Sequence, residues 1–172
     1  HIAPDGADHG DAWYFVFMRS ELVCKTVQGT PEPITADDFR WLDAEVRSKH
    51  FLGHHGSLPC YAISAKGTVP EGYALMPLRG LLGRTSQSLF YLAGRATQII
   101  EWHDTNQFCG RCGAPMELHK QDRAMACPSC HLISYPRLSP SIIVLVTKGE
   151  EMLLARNANW PAKMYSTLAG FV

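Results

Sequence analysis

The sequence predicts an α+β fold in three parts, and three observations carry that reading. Four of the six cysteines, Cys109, Cys112, Cys127 and Cys130, form two C-x2-C pairs with fourteen residues between them. Ahead of them, short aromatic and β-branched runs alternate with Gly/Pro punctuation and give way to one long helical stripe from Ser86 to Trp102. After them, a proline-bounded linker leads into fresh strand-like runs. The expected boundaries are 1–104 for a mixed N-terminal domain, 105–137 for the cysteine module and 138–172 for the third part.

Composition narrows the classes. Of 172 residues, 46% are hydrophobic and 19% charged, as in an ordinary soluble globular protein. The formal net charge is +0, so no global field points to nucleic acid or a membrane. The longest apolar run, Ala12 to Met18, is far too short to span a bilayer, and no signal peptide is visible. Cys24 and Cys60 stand singly in strand-like contexts and read as reduced core residues, which fits a cytoplasmic setting. The first residue is His1, not Met, so a trimmed N-terminus is expected.

Taken in order, residues 1–11 are polar and read as a loose arm. Ala12 to Met18, a turn at Arg19-Ser20-Glu21 and Leu22 to Cys24 predict a hairpin. Thr35 with Asp38 three residues on reads as a helix start, and Phe39, Leu42 and Val46 continue one face to about His50. Gly53 to Gly56 is expected as a loop, its pair His54 and His55 solvated, with no partner ligands at suitable spacing. Cys60 to Ser64 and Tyr73 to Met76 predict short strands. From Ser86, the residues Leu89, Leu92, Ala93, Ala96, Ile99 and Ile100 make an apolar stripe, the mark of a helix packed on a core. Beyond the linker Tyr135 to Pro140, Ser141 to Thr147 predicts a buried strand. Met152 to Arg156 returns from it, a loop carries Trp160, and Tyr165 to Val172 starts another strand.

The cysteine spacing carries chemistry. A two-residue gap aims two thiolates at one centre, and the spacer brings the second pair to the same place, so four sulfurs surround a tetrahedral ion. The expected occupant is Zn2+, one per chain and structural, because four thiolates leave no open position for water. The spacer is one residue below the usual four-cysteine range. Gly113, just after the second cysteine, suits a positive-φ turn. Two disulfides would need an oxidising compartment, and a thioredoxin-like site needs one pair at a helix start, not two. The cations around the cysteines, Arg111, Lys120, Arg123 and Arg137, read as a solvated face. No nucleophile elbow, P-loop, GxGxxG or HExxH occurs, and no pair of carboxylates is placed for acid–base work.

A specific resemblance emerges from residue 102 onward. WH-x4-FCGRCG, a second C-x2-C, YPR-x-SPSIIV, LLAR and a closing LAGFV are similar to the zinc-ribbon-containing NADH pyrophosphatases of the Nudix hydrolase superfamily, a branch that also removes NAD caps from RNA. The N-terminal part fits that family's variable domain more loosely, through YLAGRA at Tyr91 to Ala96. The resemblance implies that the third part opens a Nudix-type α/β/α sandwich. It also implies a homodimer and a dinucleotide substrate such as NADH or NAD-capped RNA, while the short apolar runs already point to no membrane partner. The family's catalytic box, G-x5-E-x7-R-E-U-x-E-E-x-G-U with U a bulky aliphatic, carries Mg2+ or Mn2+ on its glutamates. Here Gly170 matches its first residue and the catalytic helix is not among these residues, so the 172-residue chain alone is expected to be inactive.

By the same resemblance, Tyr135 of YPR and Phe171 of LAGFV match aromatics that stack on the substrate base, with linker packing and strand core as the plain alternatives. Ala169 matches a backbone carbonyl on a catalytic metal, and Asp122 an acidic substrate contact. Arg79 matches a basic contact if one residue is inserted after it. The rival class is a zinc-ribbon binding module for nucleic acid or protein without hydrolase activity, and salt-dependent RNA binding with no hydrolysis would mark it. A Nudix homologue that has lost catalysis is the third.

Overall fold

A computed structural model describes residues 11–172, so the polar arm falls, but for Asp11, outside the described residues. The chain divides after Pro136 into two compact units.

The first unit opens with β1 (Trp13–Met18) and β2 (Glu21–Val27). Arg19 and Ser20 turn the expected hairpin with φ of 53° and 67°, and Met18 faces Glu21. Positive φ at both central residues matches the twist of paired strands. Then come β3 (Thr30–Thr35), α1 (Ala36–Arg40), β4 (Ala44–His55), β5 (Leu58–Gly67) and β6 (Tyr73–Met76). A 3-10 turn (Leu78–Leu81) precedes α2 (Gln87–Thr105), whose N-cap Ser86 accepts the Leu89 N–H. Three two-residue strands close the unit: β7 (Glu117–Leu118), β8 (Met125–Ala126) and β9 (Ile133–Ser134).

The six larger strands form one sheet in the order β4-β5-β1-β3-β2-β6, with β1 parallel to β5. Strand periodicity sends Phe15 and Phe17 to one face, Tyr14, Val16 and Met18 to the other. The first face is covered by Leu89, Ala93, Ala96, Ile99 and Ile100 of α2, from the stripe legible in the sequence, and by Trp102 at its end. Leu92 from the same stripe packs there partly buried. On the second face Ala36 and Leu42 pack with Tyr61 and Ile63. Cys24 and Cys60 are buried free thiols, and burial pushes Cys24 up to about 11.

Residues 44–50 are corrected from helix to strand. The capping box at Thr35 and Asp38 is present, yet it drives only the five residues of α1. After the turn at Trp41 the chain enters β4, where Ser48, His50 and Leu52 are buried in alternation and β5 lies alongside throughout. Polar side chains at two inward positions disguise the period of two. The expected loop at Gly53 to Gly56 shrinks to a turn beyond His55, since Gly53 to His55 stay in β4. The His55 imidazole lies 3.1 Å from Ser88 Oγ at the start of α2.

The second unit holds β10 (Ser141–Val144), β11 (Val146–Lys148), β12 (Glu151–Leu153) and β13 (Leu168–Phe171). Strand β10 pairs with β13, and β11 with β12 around a turn at Gly149 with φ 61°. The single buried strand expected over Ser141 to Thr147 is corrected on both counts. It breaks at Leu145 between two different partners, and its residues are exposed because no helix among the described residues of this unit covers them.

Candidate functional site

The two cysteine knuckles are built alike. In the first, the Cys109 N–H donates to the Ala114 carbonyl and the Gly113 N–H to the Cys109 carbonyl, both at 2.8 Å. In the second, the Cys127 N–H donates to the Leu132 carbonyl at 2.9 Å and the His131 N–H to the Cys127 carbonyl at 3.0 Å. Each needs a left-handed residue after its second cysteine: Gly113 at φ 76°, as expected, and His131 at φ 59°. Backbone N–H groups also point at sulfur, Arg111 to Cys109 Sγ and Cys130 to Cys127 Sγ, each at 3.4 Å.

The four Sγ atoms lie within 4.8 Å of one another, with Cys109–Cys130 and Cys112–Cys127 at 3.5 Å. Four sulfurs about 2.3 Å from one zinc stand roughly 3.8 Å apart, so the cluster fits that ion. Charge points the same way. The N–H groups of Arg111 and Cys112 draw Cys109 down to about 6. Cys112 moves oppositely, to about 12: the Ala114 N–H favours its thiolate, but the sulfurs of Cys127, Cys130 and Cys109 outweigh that. Sulfurs this crowded cannot all ionise unless a cation shares them. This is the donor set of a structural zinc site.

The ribbon is welded to the first unit's core. Cys109, Met116, Met125 and Cys127 are buried in one cluster with Trp102 and the α2 stripe. Asn106 Nδ2 donates to the Trp102 carbonyl at 2.7 Å and its Oδ1 accepts from Ser134 Oγ at 2.8 Å, tying the helix end to β9. Arg123, read as a solvated charge, instead reaches back from the ribbon and donates to the Phe51 carbonyl in β4. Spacing gave no signal for that tie.

Within the ribbon, two of the expected site residues meet. The Tyr135 hydroxyl donates to Asp122 Oδ2 at 3.0 Å, and that bond pushes the tyrosine pKa up. Asp122 is held in turn: its N–H donates to His119 Nδ1 at 3.1 Å. Tyr135 remains 52% exposed, so its hydroxyl is fixed while the ring stays accessible. Arg79 sits exposed in the 3-10 turn and makes no hydrogen bond or ion pair with either residue. In the second unit, Phe171 is 82% exposed at the end of β13, Ala169 pairs with Ile143 and Gly170 with Ile142. The four cysteines are the one group of three or more potential ligand side chains among the described residues.

The family model for the NADH pyrophosphatase-like rudimentary NUDIX domain matches residues 11–102, and that for the NADH pyrophosphatase zinc ribbon domain matches 104–135. The chain belongs to the NADH pyrophosphatase-like Nudix family. The six-stranded sheet with α1 and α2 is thus the rudimentary Nudix domain of this family, and the four-cysteine module its zinc ribbon.

Among curated relatives of this Nudix family, "NAD-capped RNA hydrolase NudC" of Stutzerimonas stutzeri is 43% identical over 162 residues, covering 93% of this chain and 57% of that protein. The NudC of Pseudomonas aeruginosa is 44% identical over 126 residues, 73% of this chain and 45% of the relative. That of Deinococcus radiodurans is 43% identical over 125 residues, 70% and 45%. The chain spans about half the length of the curated relatives it matches. No helix among the described residues is long and apolar enough to cross a membrane.

Proposed function

We propose that the full-length protein cleaves the diphosphate of a nicotinamide dinucleotide, NADH to NMNH and AMP, and removes the NAD cap from RNA. The observation that carries this reading is the succession of an NADH pyrophosphatase-like domain and its zinc ribbon over residues 11–135, shared with relatives named for decapping NAD-RNA. In this proposal Tyr135 and Phe171 stack on the substrate's rings. Asp122 fixes Tyr135 and offers an acidic contact, while Arg79 meets a phosphate and the Ala169 carbonyl adds a metal ligand. The zinc in the ribbon is structural.

A divalent cation such as Mg2+ or Mn2+ supplies the chemistry of the step, neutralising charge on the diphosphate and activating water. The residues after Pro140 offer only Glu150 and Glu151 as carboxylates, neighbours at the β11–β12 turn. They do not form a cluster of the kind a catalytic cation needs. Its carboxylate ligands are therefore expected outside these 172 residues, and the chain alone is expected to be inactive. A homodimer working in the cytoplasm completes the proposal. With NAD-capped RNA and Mn2+, the full-length protein should release NMN and leave RNA with a 5′-monophosphate. Caps left intact would overturn the decapping reading.

A further inference from the structure

Two clefts open at one end of the first unit's sheet and share Arg19, Arg47 and Ala65. The smaller, about 470 Å³, has mixed charge, since Glu101 and Asp104 also line it. The larger, about 770 Å³, has no carboxylate in its wall. Its charged groups are Arg19, Arg47 and Lys66, and Met18, Val69 and Leu75 supply apolar surface.

The strand register brings the three cationic residues to neighbouring positions at one end of the sheet. Strand β1 runs parallel to β5 with Phe17 opposite Ser64, which carries Arg19, in its positive-φ turn, to the level of Lys66. On the other side of β5 the register of β4 breaks between Val46 and Ser48, leaving Arg47 at the irregularity. A bulge of this kind bends the strand and re-aims its side chain. Three adjacent strands thus present the cations over a width of about 10 Å, from a strand spacing of 4.7–4.9 Å. Glu45 stands opposite Lys66 in register, yet no ion pair joins them, and none of the three cations has an ion-pair partner among the described residues.

We propose that this cleft binds an organic phosphate of nucleotide size, the cationic rim holding the phosphate and the apolar surface taking the base. Charged groups lining an apolar-walled cleft of this volume are what such a ligand needs. Two sources carry that chemistry: a free nucleotide, and a nucleotide within an RNA chain. The site does not depend on the hydrolase reading, because it uses none of the residues assigned there.

Hydrogen–deuterium exchange on the full-length protein tests it, with AMP, adenosine and a 5′-phosphorylated RNA octamer as probes. AMP should slow exchange in residues 18–20, 46–48 and 65–69 if free nucleotides are the ligand. Protection by the octamer alone would assign the cleft to RNA. Adenosine should protect neither way. The double variant Arg47→Gln with Lys66→Gln keeps the aliphatic stems, and it should raise the half-saturating ligand concentration about tenfold or more. NADH hydrolysis by that variant should match wild type, so a wild-type protein without hydrolysis would count against the hydrolase reading alone. No protection by either phosphate, equal protection by adenosine, or an unchanged midpoint in the variant would overturn the site.

Discussion

At the residue scale, one hydrogen bond fixes the Tyr135 hydroxyl and leaves its ring accessible. Its hydroxyl is committed to Asp122, while about half of the residue stays exposed, so little stability depends on its burial. If the full-length protein hydrolyses NADH as proposed, Tyr135→Ala should raise its KM by a factor equivalent to roughly 1–3 kcal/mol, the worth of one stacked base. Tyr135→Phe should keep most of that binding. A thermal midpoint many degrees lower with KM unchanged would make Tyr135 a packing residue. His50 presents the opposite case, buried beneath α2 with its ring 4.8 Å from His103 and its Nε2 without a partner. Burial, then the charges of His103 and Arg123, lower its pKa to about 4 from an ordinary 6.5, against the opposing pull of Asp104. Between those values the unfolded chain binds a proton that the folded chain refuses, so its contribution is intact above pH 6.5 and lost as pH falls towards 4. Denaturant melts at pH 7 and pH 5 should show that loss, and His50→Phe should reduce it. Equal losses in both proteins would contradict the assignment.

At the scale of elements, α1 depends on one carboxylate. Asp38 accepts from the Thr35 N–H at 3.0 Å, from Lys25 Nζ at 2.7 Å and from the Tyr73 hydroxyl at 2.8 Å. Burial alone would raise its pKa, but these bonds hold it down to about 2. The stability it lends is therefore full above the ordinary 3.8 and lost as pH falls through about 2. Asp38→Ala should cost on the order of 1–2 kcal/mol near neutral pH, read by urea denaturation. A change within error would show the capping box to be dispensable. The same element marks how far the sequence could be read. Thr35 and Asp38 announced a helix correctly, but Phe39, Leu42 and Val46 mimicked its continuation, while the true strand buries Ser48 and His50, which no apolar pattern flags. Helix α2 was legible because its stripe is apolar throughout. The metal centre was legible because all its ligands lie in two local knuckles. The Tyr135–Asp122 bond was not, since it closes across 13 residues of ribbon. His131 escaped because nothing about a histidine announces positive φ.

For the whole molecule, two of the four cysteines of the candidate zinc site belong to the first unit's core. Cys109 and Cys127 are core residues as well as ligands, packed with Met125 and Trp102. One zinc per chain is expected by elemental analysis, and Cys127→Ser should lose it and lower the thermal midpoint of the rudimentary Nudix domain along with the ribbon. Intact disulfides by mass spectrometry in place of zinc would contradict this. The second unit supplies a different test. Its sheets leave Ile143, Met152 and Phe171 exposed, and none of its described residues belongs to a group of three or more potential ligand side chains. The decisive measurement is AMP release from NADH with Mg2+ or Mn2+, assayed in parallel on the full-length protein and on residues 1–172. The expected result is NMNH and AMP from the full-length protein, and a rate no higher than buffer from the 172-residue chain. Turnover by residues 1–172 freed of contaminating enzyme would put the active site in the wrong place, and no AMP from the full-length protein would contradict the proposed function itself.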